Sequence, residues 1–354
     1  MASYHPLGRR SSKVVWRTVP TTHPKGSTLA TLRSLPVLAE VVRSGFVESR
    51  HVGSAVALKP DGSAAVELGT PAAPVLPRSA SKPLQAVGML RAGLDLDGEL
   101  LAIVTASHSG TERHVALVRQ VLAGAGLDEG ALGNPPDLPL DEEARLELLH
   151  TGGGADRLHH NCSGKHAGML ASCVAAGWPI ADYLDHRHPC QRALRAAVQD
   201  LAGEPVTTTT VDGCGAPQFA LSLPGLARAF GRLVTEAGGT AERRVADAMR
   251  SHPEVVGGPG RDVTRLLAGV PGLVAKDGAE GVYAVALADG GACAVKIDDG
   301  AGRARMPVLV ALLRALGCRA PVLDELATLP VRGGGGVVGE VRAVPPLVPR
   351  TRAS

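Results

Sequence analysis

The hydrophobic and polar positions of this chain change period several times, and each change marks an element. Val52–Leu58 and Ala64–Leu68 are short β-prone runs on either side of Lys59-Pro60-Asp61-Gly62, which predicts a hairpin. A polar cluster, Val47-Glu48-Ser49-Arg50-His51, sits just before it on a strand edge. Val206–Val211 reads as a β-branched strand, and Val282–Ala286 with Ala292–Ile297 as a second pair of strands about a Gly290-Gly291 turn. Helical spacing takes over at Leu84, Val87, Leu90 and Leu94. Pro83 is tolerated only in a first turn, so that helix must begin within Arg78–Lys82. Further helices are expected through Val115, Val118 and Val121, over Asp141–Leu149, from Gly168 to about Ala176, from Phe219 to about Val234, and over Met306–Leu316. Gly133–Leu140 and Gly257–Gly260 read as loops, the latter exposed, and the Gly333–Gly336 tract with the proline-rich end reads as largely loop.

Strands near both ends, helices between them and two hairpins predict an α/β fold on a mainly antiparallel sheet, with a helical subdomain over about 80–205 packed beside it. Residues 1–34 carry Arg9, Arg10, Lys13, Arg17, Lys25 and Arg33 with no acid. They read as a disordered basic tail, followed by a catalytic domain over 35–320 and a loop-rich segment over 321–354. The net charge of +3 over 354 residues therefore lies in the tail, and the remainder is slightly acidic. Aromatic residues make up 2% of the chain, too few for a base-stacking nucleic-acid platform. No GxGxxG follows a strand and no Walker loop is present, which disfavours nucleotide cofactors. The six cysteines, Cys162, Cys173, Cys190, Cys214, Cys293 and Cys318, lack disulfide-framework spacing and suit a reducing compartment. With no secretory leader and no membrane-length apolar run, a cytoplasmic protein is expected.

The chemistry concentrates at strand exits and helix mouths. Ser79 and Lys82 stand three residues apart on one helical face, with Cβ atoms about 5–6 Å apart, so the amine can reach the hydroxyl. A serine nucleophile needs such a base, and burial or a neighbouring cation brings a lysine towards neutrality. Lys82 is one of seven lysines against thirty arginines, so each lysine is informative. Ser107-His108-Ser109-Gly110 follows the apolar run Leu101–Ala106, an arrangement that presents side chains to a cleft and equally one that caps a helix. His159-His160-Asn161-Cys162-Ser163-Gly164-Lys165-His166 invites a metal, yet has neither Cys-x-x-Cys nor His-x-x-x-His. A thiol in a glycine turn before a helix is the alternative. Asp212-Gly213-Cys214-Gly215-Ala216-Pro217 reads either as a functional strand exit or as a tight turn with an Asx cap.

Taken in order, Ser79-x-x-Lys82, Ser107-His108-Ser109 and Lys276-Asp277-Gly278 follow the motif order of penicillin-recognising acyl hydrolases. With Asn161–His166 and Asp212–Pro217 added, the chain resembles the Rhizobium-type L-asparaginase II family from about Pro36 to about Leu316. The resemblance implies a serine β-lactamase-like fold and hydrolysis of the side-chain amide of L-asparagine to aspartate and ammonia. By carry-over, Ser79 with Lys82 and Ser107 with Lys276 form two Ser–Lys pairs, Ser109 being the alternative second serine. Arg78 would meet the substrate carboxylate and Asp212 its ammonium, with His51 and Cys162 among the substrate contacts. Cys162, Lys165 and Cys214 would hold a modulating Zn²⁺ ion. A homodimer is expected, with no nucleic-acid or membrane partner. A related glutaminase or other amidohydrolase would keep the serines and lysines, and a zinc-holding ligand sensor of the same fold would keep the thiols.

Overall fold

The computed structural model describes residues 35–344, so the expectation for residues 1–34 lies outside the described residues, as does any for 345–354. The chain opens with three strands, β1 (Val37–Arg43), β2 (Phe46–Leu58) and β3 (Ala64–Leu68). The β2–β3 hairpin forms where the turn chemistry requires it. Lys59 N–H donates to the Ser63 carbonyl at 2.8 Å, Asp61 accepts from the Ser63 amide and hydroxyl, and Gly62 takes φ +82°. A turn of 3-10 helix over Arg78–Ser81 then leads into α1 (Lys82–Arg91), the start that Pro83 dictates.

Helices follow: α2 (Gly98–Thr105), α3 (Glu112–Gly124), α4 (Glu142–His150), α5 (Ser163–Ala175) and α6 (Pro189–Ala202). Helix α6 carries its stop and start signals in sequence. The His188 side chain accepts from Cys190 N–H, Pro189 opens the first turn, and Gly203 closes the helix at φ +64°, the left-handed cap that favours glycine. A short ribbon, β4 (Thr209–Val211) and β5 (Pro217–Phe219), separates these helices from α7 (Leu223–Thr235), α8 (Ala241–Ser251), α9 (Pro253–Val256) and α10 (Asp262–Gly269). The expected strand over 206–211 is thus shorter than its β-branched residues suggest, because the ladder with β5 spans only Thr209, Thr210 and Val211. The helical layer also runs past residue 205.

Strands β6 (Val274–Asp277), β7 (Val282–Ala286) and β8 (Ala292–Ile297) precede α11 (Arg305–Ala315) and α12 (Val322–Leu326). The chain then returns to the sheet as β9 (Thr328–Gly333) and β10 (Gly336–Ala343). The sheet order is β6-β7-β8-β2-β1-β10-β9, with β3 on the opposite edge of β2 from β8, and every pairing is antiparallel. The segment read as loop after residue 321 therefore completes the sheet, β10 pairing the free edge of β1 from Ala39↔Ala343 to Arg43↔Gly339. Its glycines serve as the hairpin turn, Gly334 and Gly335 at φ +57° and +84°.

Every residue of β7 is buried, so both faces of the sheet centre are covered; α7 and α11 pack on its strands. By contrast β9 alternates exposed and half-buried positions, as an edge strand should. The core is built of Ala, Val and Leu, with Phe219, Phe230, Tyr183 and Tyr283 as its few large aromatics. Small residues let the elements beneath the site approach closely. A Cβ on Gly164 of α5 would stand 2.2 Å from the Ile103 carbonyl of α2.

Candidate active site

The 3-10 turn that carries Ser79 is held from both sides. Ser81 Oγ donates to the Arg78 carbonyl at 2.8 Å, and a Cβ on Gly278 would lie 2.5 Å from the Pro77 carbonyl. Glycine at that position lets the end of β6 press against the turn, which draws Lys276 and Ser79 into one region. Arg78 adopts φ +52°, an uncommon conformation for a non-glycine residue of the kind stored at functional sites.

Ser107, not Ser79, is the hydroxyl in contact with both amines. Its Oγ lies 2.9 Å from Lys276 Nζ and 3.2 Å from Lys82 Nζ. Lys82 also donates to the Ala106 carbonyl at 2.5 Å and to the Asn161 carbonyl at 3.3 Å. Lys276 is bonded as well to the carbonyl and carboxylate of Asp277. Both amines are buried, at 1% and 0% exposure. Burial pushes the Lys276 amine down to about 8 and repulsion from Lys82 adds to this, while Asp277 opposes it. Among the described residues no hydrogen bond joins Lys82 to Ser79, so the i, i+3 spacing brings Lys82 to the neighbouring serine instead. Ser109 is not the second serine of this cluster, since its Oγ donates to the Gly257 carbonyl at 2.9 Å. Gly257 and Gly258, read from sequence as exposed, are buried there. A Cβ on Gly258, at φ +133°, would lie 2.1 Å from Ser109 Oγ.

Ser79 instead lines a pocket of about 140 Å³ with Arg78, His160, Asn161, Cys162, Asp212, Gly213, Cys214 and Ala279. Arg78 Nε donates to Asp212 Oδ1 at 2.7 Å. The two residues expected to meet opposite ends of an amino acid are thus paired directly with each other in the pocket lining. Burial works against the Asp212 carboxylate, but Lys165 and Arg78 hold it below the usual carboxyl range. Gln218 Nε2 steadies its second oxygen at 3.2 Å. Arg78 also lines a larger cavity of about 460 Å³ with Ser54, Thr70, Glu280 and Lys296. His51 lines neither cavity. It is buried between Asp299, at 2.7 Å, and the Arg303 guanidinium, at 3.0 Å.

Cys162, Lys165 and Cys214 do come together. Lys165 Nζ lies 3.1 Å from Cys214 Sγ, and hydrogen bonding with Cys214 is the main influence holding the Cys162 thiol well below its ordinary pKa. Burial opposes the Lys165 ammonium, but the Cys214 and Cys162 sulfurs and Asp212 outweigh it and raise its pKa. Two thiols and an amine suit a soft cation in donor chemistry, and the buried His166 imidazole lies against Cys214. Among the described residues, however, no group of three or more His, Cys, Asp or Glu is arranged to hold a metal ion, so the third donor would have to be Lys165.

Sequence reasoning missed two residues of the site. Arg261 bonds the Ser107 carbonyl at 2.6 Å and Asp277 Oδ2 at 2.7 Å, and Gln218 supports Asp212. Neither belongs to a motif, and only the fold brings them in.

A serine lining a small polar pocket, backed by a second serine between two buried lysines, has the makings of a hydrolase. The L-asparaginase II family model matches residues 39–343, and the chain belongs to that family, which is one of hydrolases. The match reaches beyond Leu316 and takes in the β9–β10 hairpin. No curated protein matches the chain. Among solved structures, it is similar to a β-lactamase from Mycobacterium bovis at 15% identity and TM-score 0.42, over 83% of this chain and 97% of that one. It is also similar to EstCE1, a hydrolase with promiscuous acyltransferase activity, at 12% identity and TM-score 0.36, over 79% and 92%. The α/β, antiparallel architecture rests on this chain's own strands and helices. Among the described residues no helix is long and apolar enough to cross a membrane.

Proposed function

We propose that this chain is an L-asparaginase that hydrolyses the side-chain amide of L-asparagine through a serine acyl-enzyme. The observation that carries the reading is the pairing of Ser79, at the wall of a pocket with Arg78 and Asp212, with Ser107 and two buried amines behind it. Arg78 is a bidentate donor for the α-carboxylate, and Asp212 an acceptor for the α-ammonium. A peptide or β-lactam needs neither in that pairing. The volume of about 140 Å³ is also well below the roughly 300–1,000 Å³ of pockets for drug-sized ligands.

In this reading Ser79 Oγ attacks the amide carbon while Lys82 takes its proton. The C–N bond breaks, the proton passes to the leaving nitrogen, and ammonia departs. Water then adds to the acyl-enzyme, releasing aspartate and restoring the serine. Ser107 links Lys82 to Lys276 and relays the proton, so that one amine is neutral at each stage. With Lys276 at about 8, the rate should rise with pH through that region. Ammonia release from L-Asn, D-Asn and L-Gln, with ring opening of a β-lactam measured alongside, tests the assignment. Turnover of L-Asn above all others is expected. Preference for glutamine would make the chain a glutaminase, and absence of any acyl-enzyme by intact mass would leave a ligand sensor.

A zinc ion on Cys162, Lys165 and Cys214 would supply a positive centre beside the pocket that orients substrate. Only a neutral lysine has a lone pair to give, so binding must release its proton, and affinity falls as pH is lowered. About one zinc per chain is expected in protein purified without chelator, since the two thiols and the amine make one donor set. Cys162→Ala and Cys214→Ala should each lose it by elemental analysis. Chelation should raise KM far more than it lowers kcat. Loss of kcat on stripping and its return with zinc would overturn the serine mechanism.

A further inference from the structure

We propose that Arg261 is a positioning residue for the Ser107–Lys276 pair and that it acts through Asp277. The proposal rests on the serine–lysine reading above, which leaves both residues without a role. Arg261 stands at the N-terminal boundary of α10, yet its guanidinium spans two other segments. One nitrogen donates to the backbone carbonyl of Ser107 at 2.6 Å, and another to Asp277 Oδ2 at 2.7 Å. The other oxygen of the same carboxylate bonds Lys276 Nζ, which also donates to the Asp277 carbonyl and to the Ser107 hydroxyl, each at 2.9 Å. Ser107 and Lys276 are 169 residues apart in sequence, and Arg261 ties the backbone of the first to the side-chain partner of the second. A planar, two-pronged donor suits that task, and a lysine does not reproduce it.

The segment around Arg261 is anchored to the same strip. Ser107 N–H donates to the Val256 carbonyl at 3.2 Å, and Ser109 Oγ to the Gly257 carbonyl. The loop from Val256 to Arg261 therefore lies along Ser107–Ser109 as a strap. Arg261 closes its far end. Asp277 is buried while the Arg261 side chain keeps 25% exposure, so substitution of the arginine is the gentler perturbation.

The network has an electrostatic signature that simple loss of packing would lack. The charged or titratable groups facing Lys276 and Asp277 are Lys82 on α1, Arg261 and Asp262 at the start of α10, Tyr283 on β7 and Arg305 on α11. Asp277 favours the Lys276 ammonium, and Arg261 disfavours it. Removing the two partners should therefore move the protonation of Lys276 in opposite directions.

The test uses acetylation of the site serine by p-nitrophenyl acetate, followed by nitrophenolate release and intact mass from acid to alkaline pH. It needs no assumption about the natural substrate. Wild type is expected to acylate with a midpoint near pH 8, where burial, offset in part by Asp277, places Lys276. Asp277→Asn should shift that midpoint down by about one unit, and Arg261→Gln should shift it up by a smaller step. Arg261→Lys keeps the charge, so its midpoint should stay while its maximal rate falls. Circular dichroism verifies folding, and if Asp277→Asn fails to fold, the two arginine variants decide. Unmoved midpoints in folded Arg261→Gln, or a full maximal rate in Arg261→Lys, would overturn the proposal with the serine mechanism intact. Failure of wild type to acylate at any pH would remove it together with the reading it rests on.

Discussion

Ser79→Ala is expected to lower kcat on L-asparagine by on the order of a millionfold, the usual consequence of deleting a catalytic nucleophile, with the melting temperature almost unchanged. The small structural cost follows from geometry. Among the described residues the Ser79 hydroxyl makes no hydrogen bond, and the turn around it is held by Ser81 Oγ on the Arg78 carbonyl and by Gly278 against Pro77. Alanine fits the same backbone, so nothing that holds the 3-10 turn is lost. The measurement also separates two serines that geometry distinguishes in opposite ways. Ser79 lines the pocket but touches no amine. Ser107 touches two amines but is 5% exposed and lines no cavity described above. Access to substrate favours the first as nucleophile, and contact with a base favours the second. Catalytic hydrogen bonds are often long before substrate binds and tighten in the complex, which is why access carries more weight here. If Ser79→Ala kept more than about a tenth of the wild-type rate, Ser107 would become the nucleophile and Ser79 a pocket-wall hydroxyl.

The features legible in the sequence were those whose cause is local. Lys59–Gly62 and Gly290-Gly291 announce hairpins because asparagine-like and glycine turn chemistry acts over four residues. Pro83 fixes the start of α1 for the same reason. The β9–β10 hairpin escaped because its turn, Gly333–Gly336, resembles a flexible tract, and only the unpaired edge of β1 gives those strands a reason to form. Val206–Val211 erred the other way, since propensity promises a strand that needs a partner along its whole length. The site divides similarly. Ser79, Lys82, Ser107, Lys276, Asp212, Cys162, Lys165 and Cys214 stood out by type and motif, and the fold gathers them into two adjoining clusters. Arg261 is one of thirty arginines, and nothing in its neighbours points 154 residues back to Ser107. His51 shows the same dependence on the fold. It lies within a motif, yet Asp299 and Arg303, which enclose it, come from the far end of the chain.

The other large effect falls on Lys82, and here two substitutions are more informative than one. Lys82→Met keeps the length and apolar stem of the side chain and removes the amine. The Ala106 and Asn161 carbonyls then lose a buried donor, at a cost of about 1–3 kcal/mol of stability, which calorimetry should register as a modest fall in melting temperature. The rate should fall much further, by about 10²–10⁴ for loss of a general base. Lys82→Arg separates the two causes. A guanidinium restores donors to the carbonyls and keeps the positive charge beside Ser107, but it does not deprotonate in a protein. If Lys82 takes a proton during turnover, Lys82→Arg should recover stability while remaining as inactive as Lys82→Met. If its charge alone matters, the arginine should recover rate as well, and proton transfer would then fall to Lys276 acting through Ser107. Measuring kcat and melting temperature for both variants decides between these, because a defect of folding moves the two quantities together and a missing base moves only the first.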